Sequence, residues 1–167
     1  MKYHILGILL SLALLTGCKK DETCDFPDAA ITVPPAQITE LQNYLTSKGI
    51  TDAVQSPYNF FYRITAPGSG TSVSNLCTIV VASYVGLLKD DSVFDRTAPG
   101  ATIRAQLGQF IVGWQKGLPL ISKGGKITLY IPPALGYGSV AKTDGAGNVV
   151  IPANSMLVFD VEVVDYQ

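Results

Sequence analysis

Histidine is almost absent from this chain. The 167-residue sequence contains one, His4, which lies in an N-terminal segment that we expect to be removed. A mature chain without histidine cannot form a Ser/His/Asp or Cys/His catalytic arrangement, nor a zinc or iron site with histidine ligands. Most hydrolase mechanisms are therefore excluded.

Charge is also scarce. Charged residues make up 15% of the chain and the formal net charge is −1. Binding to phosphate groups needs a concentrated basic surface, so we expect no nucleic-acid partner. By contrast, 47% of the residues are hydrophobic, with 16 Gly and 10 Pro. This composition favours a single strand-rich domain with many turns.

The N-terminus is typical of an export signal. Lys2 precedes an apolar run from Ile5 to Leu15, about as long as the core of a signal peptide and too short to span a bilayer stably. The run ends in LTGC, which resembles the lipobox of bacterial lipoproteins, where the cysteine becomes the acylated first residue. We therefore predict a lipoprotein signal peptide over residues 1–17 and lipidation, including palmitate, of Cys18. The alternative is an ordinary secretory signal followed by a chance cysteine.

Acylation of Cys18 would attach the protein to a membrane, because several acyl chains on one residue give stable anchoring. We expect a lipid-anchored protein of the bacterial cell envelope, at the outer membrane and facing either the periplasm or the outside. The charged residues 19–22 resemble an export signal for surface lipoproteins, although a solvated charged run explains them equally well. Residues 18–36 are charged and then proline-rich, which predicts a tether.

Two cysteines, Cys24 and Cys77, remain once Cys18 is acylated. In an oxidising compartment they could form a disulfide that ties the tether to the domain. Cys77 could instead be a small core residue within an apolar strand, and the pattern favours this second interpretation.

The tether is followed by a helical pattern. Ile38, Leu41 and Leu45 recur at helical spacing and Gly49 follows where a helix would end, which predicts a helix over about 37–48. We assign residues 37–55 to a helical arm.

From Tyr58 onward the pattern is that of strands. Apolar residues alternate with polar ones in residues 126–131 and again in residues 157–163, which predicts strands with one buried face and one solvated face. The segment FIVGWQKGL is the one short helix expected among them. The fold class predicted is α+β: a curved antiparallel sheet wrapped around one short α-helix and preceded by the helical arm. The glycine-rich connection over 136–151 is long enough to be functional.

Five segments in order resemble the FKBP-type peptidyl-prolyl cis–trans isomerases, which bind tacrolimus and rapamycin. They are SYVGLL, VFD, LGQFIVGWQKGL, GGKITLYIPPALGYG and VIPANSMLVFDVEVV. The resemblance covers roughly Tyr58 to Asp165, and we assign residues 56–167 to an FKBP-like domain.

The resemblance implies a pocket for a prolyl ring. Its implied catalytic residues are Tyr84, Asp95 and Tyr137. Its implied substrate-binding residues are Phe94, Phe110, Ile111, Trp114, Val150, Ile151 and Phe159. In this hypothesis the Trp114 indole forms the floor, and the Ile111 amide and the Tyr137 hydroxyl bond substrate carbonyls. Asp95 would orient Tyr84 or polarise the surroundings of the reacting carbonyl, and Val150 and Ile151 would lie at the rim. The alternative is that these aromatic residues are ordinary core.

The implied reaction needs no nucleophile, base, metal or cofactor. Rotation about an X–Pro bond is slow because it breaks amide resonance, with a barrier of about 18–20 kcal/mol. An apolar pocket with hydrogen bonds to the twisted amide would lower it. The expected partners are proline-containing unfolded or nascent exported polypeptides, and macrolides such as rapamycin. Ile103 stands where the family usually has an aromatic residue, and Phe110 where it has valine. These two changes motivate one alternative, a proline-binding chaperone without turnover. A further alternative is a surface-interaction lipoprotein that kept the fold and lost the pocket.

Overall fold

The computed structural model describes residues 24–27, 30–70, 72–73 and 75–167. The predicted signal peptide, Cys18 and the charged residues 19–22 lie outside this part of the chain. Among the described residues, no helix has the length and apolar character needed to cross a membrane.

The described residues form two α-helices and nine strands. The helices are α1 (Pro35–Ser47) and α2 (Val112–Gly117). The strands are β1 (Val54–Gln55), β2 (Phe61–Ala66), β3 (Ile79–Leu87), β4 (Val93–Arg96), β5 (Ile103–Gln106), β6 (Lys126–Ile131), β7 (Lys142–Thr143), β8 (Val149–Ile151) and β9 (Leu157–Tyr166). Three short 3₁₀ turns lie at Leu107–Gln109, Leu118–Leu120 and Pro133–Leu135.

Seven of the strands form one antiparallel sheet. Its order is β1, β2, β6, β9, β3 and β4, and β5 pairs with the first half of β3. β7 and β8 form a separate two-stranded hairpin. The predicted fold class is confirmed, because this curved sheet packs against the short helix α2.

Helix α2 lies very close to the sheet because two of its residues lack side chains. A Cβ atom on Gly113 would lie 2.6 Å from Ile131, and one on Gly117 would lie 2.6 Å from Leu129, both on β6. The small residues therefore bring α2 against β6 and fix the height of Trp114 above the sheet.

The opposite face of the sheet is covered at one end by α1. Leu41 and Leu45 are buried there against Phe61, Tyr130 and Val158. The prediction that β6 and β9 each have a solvated face is therefore wrong at this end, because Tyr130 and Val158 supply apolar surface that α1 buries. The helix itself begins two residues earlier than predicted.

Strand β1 lies within the segment assigned to the helical arm. Its two residues lie within 37–55, yet they pair with β2 and extend the main sheet. The segment assigned to an arm is thus packed on the sheet at both of its ends.

Cys24 and Cys77 form a disulfide, with their Cα atoms 5.5 Å apart. The favoured interpretation of Cys77 as a core residue within a strand is wrong, because Cys77 lies half-buried in the turn before β3. The bond closes a loop with a sequence separation of 53 residues. On the chain-entropy model, a loop of that length stabilises the fold by about 4 kcal/mol.

Candidate active site

The centre of the candidate site is the indole of Trp114, which is 3% exposed. The rings of Tyr84 on β3 and Phe159 on β9 stand almost perpendicular to it, at 88° and 85°, each with its centroid 5.3 Å from the indole centroid. Phe94 on β4 meets Phe159 edge to face at 5.5 Å. Edge-to-face pairs at these distances are favourable and hold each ring in one orientation. Four predicted pocket residues are thus brought together on one face of the sheet.

A glycine in β3 makes room for two of these rings. Gly86 pairs with Phe159 across the sheet, and a Cβ atom here would lie 2.6 Å from the Phe94 ring and 3.0 Å from the Phe159 ring. Sequence reasoning did not assign this residue to the site. A lone glycine inside a strand pattern often marks such a close approach, and that signal was available.

Phe110 forms a further wall. Its ring lies 4.9 Å from the indole of Trp114 at an interplanar angle of 33°, so it stacks more nearly parallel than the other rings. The larger side chain at this position therefore adds aromatic surface to the site. The Trp114 N–H is buried and donates no hydrogen bond to any described residue.

Asp95 is hydrogen-bonded to Tyr84. The Tyr84 hydroxyl donates to Oδ2 of Asp95, the contact predicted for an aspartate that orients this ring. Burial raises the pKa of Tyr84, and the hydrogen bond to Asp95 raises it further. The Tyr84 proton is thus committed to Asp95, while the catalytic roles of both residues stay predictions.

Tyr137 carries the second hydroxyl of the site, and this one is available to a substrate. The residue is half-buried in the turn that follows Pro133–Leu135, and its hydroxyl donates no hydrogen bond to any other described residue. Burial raises the pKa of Tyr137, and the negative charge of Asp95 adds to the rise. The hydroxyl therefore remains protonated, as a donor to a carbonyl oxygen must be.

Lys142 lies over the outer side of Tyr137. Its Nζ atom is 4.9 Å from the centroid of the Tyr137 ring, a cation–π distance. The lysine comes from strand β7 of the 136–151 connection, so this hairpin places a positive charge beside the site. Sequence reasoning missed it, because nothing in the pattern showed that β7 folds back.

The Ile111 amide is presented by the turn at the start of α2. The carbonyl of Ile111 accepts hydrogen bonds from the N–H groups of Trp114 (2.9 Å) and Gln115 (3.1 Å), whereas its own N–H has no backbone partner in the described part of the chain. The Gln115 side chain donates to the carbonyls of Gly108 (3.1 Å) and Phe110 (2.8 Å). Gln115, which was also missed, therefore fixes the backbone on the N-terminal side of Ile111.

The 136–151 connection is a structured hairpin. Asp144 closes its tip, because its carboxylate accepts hydrogen bonds from the N–H groups of Ala146 (2.9 Å) and Asn148 (2.8 Å). Val150 is half-buried against the core that includes Trp114 and Phe159, and its place at the rim stays a prediction. Ile151 is 4% exposed and belongs to the same core as Trp114, and its substrate-binding role stays a prediction. The alternation of β8 turns adjacent residues to opposite sides.

The polar groups of the site are thus one carboxylate, two phenolic hydroxyls, the free amide of Ile111 and the buried indole N–H of Trp114. No cluster of three or more His, Cys, Asp or Glu side chains able to hold a metal lies among the residues that the structure describes. The arrangement offers an apolar surface for a small ring and donors for carbonyl oxygens.

Comparison with known proteins identifies the family. A family model described as FKBP-type peptidyl-prolyl cis-trans isomerase matches residues 70–164, more than half of the chain. The chain belongs to the FKBP-type peptidyl-prolyl cis–trans isomerase family. The matched range includes β3 to β8, α2 and nearly all of β9, and hence every predicted pocket residue.

Curated relatives carry the same family name. The chain is 42% identical over 115 residues to a probable FKBP-type peptidyl-prolyl cis-trans isomerase of Haemophilus influenzae, covering 68% of this chain and 45% of that protein. It is 38% identical over 125 residues to the FKBP-type isomerase FkpA of Escherichia coli, covering 74% of this chain and 43% of FkpA. The chain thus spans less than half the length of these relatives.

Solved FKBP structures share the fold. The crystal structure of FkpA from Escherichia coli superposes with a TM-score of 0.66 at 34% identity, covering 79% of this chain and 60% of that one. That of AtFKBP13 gives a TM-score of 0.62 at 30% identity, covering 70% of this chain and all of the other.

Proposed function

We propose that this chain catalyses peptidyl-prolyl cis–trans isomerisation, with the prolyl ring of the substrate seated against Trp114. The observation that carries the proposal is the aromatic enclosure of the indole by Tyr84, Phe159 and Phe110 in a member of this family. Such a surface is apolar, poor in water and the right kind of partner for a small saturated ring.

The two free hydrogen-bond donors of the site, the Tyr137 hydroxyl and the Ile111 amide, bind the transition state more tightly than the ground state. As the X–Pro amide twists it loses resonance, and its charge separation falls. An apolar pocket favours this less polar state, and the Tyr137 hydroxyl and the Ile111 amide would hold the substrate carbonyls in the twisted geometry. Asp95 would act through Tyr84, whose ring it orients. No covalent intermediate is involved.

Phe110 favours a second candidate, a binding module for proline-containing segments without useful turnover. Its ring lies 4.9 Å from the indole and takes up space that valine would leave open. A surface-interaction lipoprotein that has lost the pocket is the third alternative.

A proline-peptide isomerisation assay on residues 18–167 with Cys18→Ser tests the proposal. We expect acceleration that rapamycin inhibits, and a loss of about tenfold in kcat/KM in Tyr137→Phe, which corresponds to about 1.4 kcal/mol. Tyr62→Phe is the matched control, because Tyr62 packs beside Phe60 in the core and not in the site.

Two outcomes separate the candidates. Equal rates for wild type, Tyr137→Phe and Asp95→Ala would refute the role assignments. No acceleration by wild type, together with activity gained in Phe110→Val, would select the binding module.

We propose further that the clients are exported polypeptides and that the protein is anchored in the cell envelope through lipid on Cys18. The support is the apolar N-terminal run and the LTGC segment. Labelled palmitate fed to cells should be incorporated into wild type and not into Cys18→Ser. Equal labelling of the two would exclude the anchor.

A further inference from the structure

The segment N-terminal to α1 is attached to the domain beside the candidate site. Cys24 is bonded to Cys77, and two residues further on the half-buried ring of Phe26 lies against Gly108. A Cβ atom on Gly108 would lie 2.2 Å from Cγ of Phe26. The ring therefore packs directly on backbone, at a position where only glycine leaves room for it.

The backbone that Phe26 touches is bonded to the neighbours of Cys77. The N–H of Leu107 donates to the carbonyl of Thr78 (2.9 Å), and the N–H of Gly108 donates to the carbonyl of Leu76 (2.7 Å). Cys77 thus lies between Leu76 and Thr78, the two residues whose carbonyls bind the Leu107–Gln109 turn. Phe26 and the hydrogen bonds restrain the same short stretch of chain.

From this turn the chain leads into the candidate site. Gln115 bonds the carbonyl of Gly108 and then that of Phe110, whose ring stacks on Trp114. The next residue, Ile111, carries the free amide. An unbroken series of contacts therefore connects the Cys24–Cys77 bond to the pocket wall and to a proposed donor.

We propose that Phe26, held in place by the Cys24–Cys77 disulfide, is a positioning residue for the pocket, so that isomerase activity depends on the oxidation state of these cysteines. The proposal rests on the function proposed above. Residues 24–27 are then part of the working site and not a passive tether. Reduction by a dithiol breaks the S–S bond: each sulfur gains one electron and one proton, and the reagent closes to its cyclic disulfide.

The chain provides a reporter that does not depend on turnover. Trp114 is the single tryptophan in the sequence, so fluorescence excited at wavelengths that the eight tyrosines do not absorb reports the pocket alone. We would use residues 18–167 with Cys18→Ser, which leaves Cys24 and Cys77 as the remaining cysteines. Emission, rapamycin affinity and kcat/KM would be measured below the melting temperature, with circular dichroism confirming that each variant is folded.

We expect Phe26→Ala to lower kcat/KM three- to tenfold and to shift the Trp114 emission to longer wavelength. Phe26→Leu should restore most of the wild-type kcat/KM and most of the wild-type emission wavelength. Asp25→Ala is the matched control, because this neighbouring side chain is exposed. Dithiothreitol should reproduce the effect of Phe26→Ala and add little to it.

A double-mutant cycle tests the contact itself. Gly108→Ala should disturb the pocket in wild type, where the new methyl group collides with Phe26, and should have little further effect in Phe26→Ala. The proposal is overturned if Phe26→Ala and the reduced protein keep the wild-type emission, rapamycin affinity and rate while melting at a lower temperature. Altered emission and rapamycin affinity in a chain that never shows turnover would instead support the positioning role and refute the proposed catalysis.

Discussion

Replacing Leu41 by alanine tests whether α1 belongs to the folded domain. Leu41 is fully buried between α1 and the outer face of the sheet, against Phe61, Tyr130 and Val158. Removing a buried leucine side chain costs roughly 2–5 kcal/mol, because apolar burial is lost and a cavity remains. Alanine and leucine are both good helix formers, so the loss measures packing. A loss of about 3 kcal/mol would lower the melting temperature by about 10 °C.

Urea and thermal unfolding of Leu41→Ala would measure this loss, with the exposed Gln42→Ala in the same helix as control. We expect Gln42→Ala to change the free energy of unfolding by less than about 0.5 kcal/mol. Isomerase activity of Leu41→Ala at low temperature should stay within twofold of wild type, because Leu41 and Trp114 lie on opposite faces of the sheet. A loss below about 1 kcal/mol in Leu41→Ala would refute the docking of α1.

Two further changes probe the packing of α2 and the C-terminal strand. Gly113→Ala should lower stability by roughly 1–3 kcal/mol and reduce activity, because the added methyl group would lie 2.6 Å from Ile131 and push Trp114 out of place. Tyr166→Phe should lower stability by about 1 kcal/mol at neutral pH, because the Tyr166 hydroxyl donates to the carbonyl of Leu118 at 2.9 Å. Burial raises the pKa of Tyr166 to about 12, so between pH 10 and 12 this tyrosine ionises in the unfolded state before it does so in the folded state. The free energy of unfolding of wild type therefore falls over this range, whereas that of the Phe variant does not. Unfolding curves would measure the stability loss in each variant, and for Tyr166→Phe they would be recorded at several pH values.

The controls for these two changes are direct. Gly145→Ala, at a position with open space around it, should be neutral. If Gly113→Ala is equally neutral, α2 does not lie as close to β6 as described. If the stability advantage of wild type over Tyr166→Phe stays constant or grows from pH 10 to 12, the burial of this hydroxyl is contradicted.

Sequence periodicity predicted the strands that carry the site. β6 and β9 were located correctly because Ile127, Leu129 and Ile131 alternate with more polar residues and face α2. The same alternation gave a wrong prediction for the face that α1 covers, because Tyr130 and Val158 were grouped with their polar neighbours as solvated residues. Period-two patterns show which residues share a face but not what covers it.

The sequence predicted which aromatic residues form the candidate site, but it did not predict how the surrounding segments pack. Tyr84, Trp114 and Phe159 meet as the family resemblance implied, whereas periodicity alone had assigned a face only to Phe159. The burial of Ile151 was not predictable, because a hairpin within 136–151 has no periodic signal. The disulfide was not predictable either, because bridging depends on the distance between two Cα atoms far apart in sequence.

The Cys24–Cys77 bond also sets where a mechanical load would enter the protein. A pull on the chain N-terminal to Cys24 passes across the two sulfurs to Cys77 and then into β3, which is paired with β9, β5 and β4. Helix α1 and the strands β1 and β2 lie inside the covalent loop and bear no tension. A protein held by its N-terminus would therefore be carried by an inner strand of its sheet, and its covering helix would stay docked under strain.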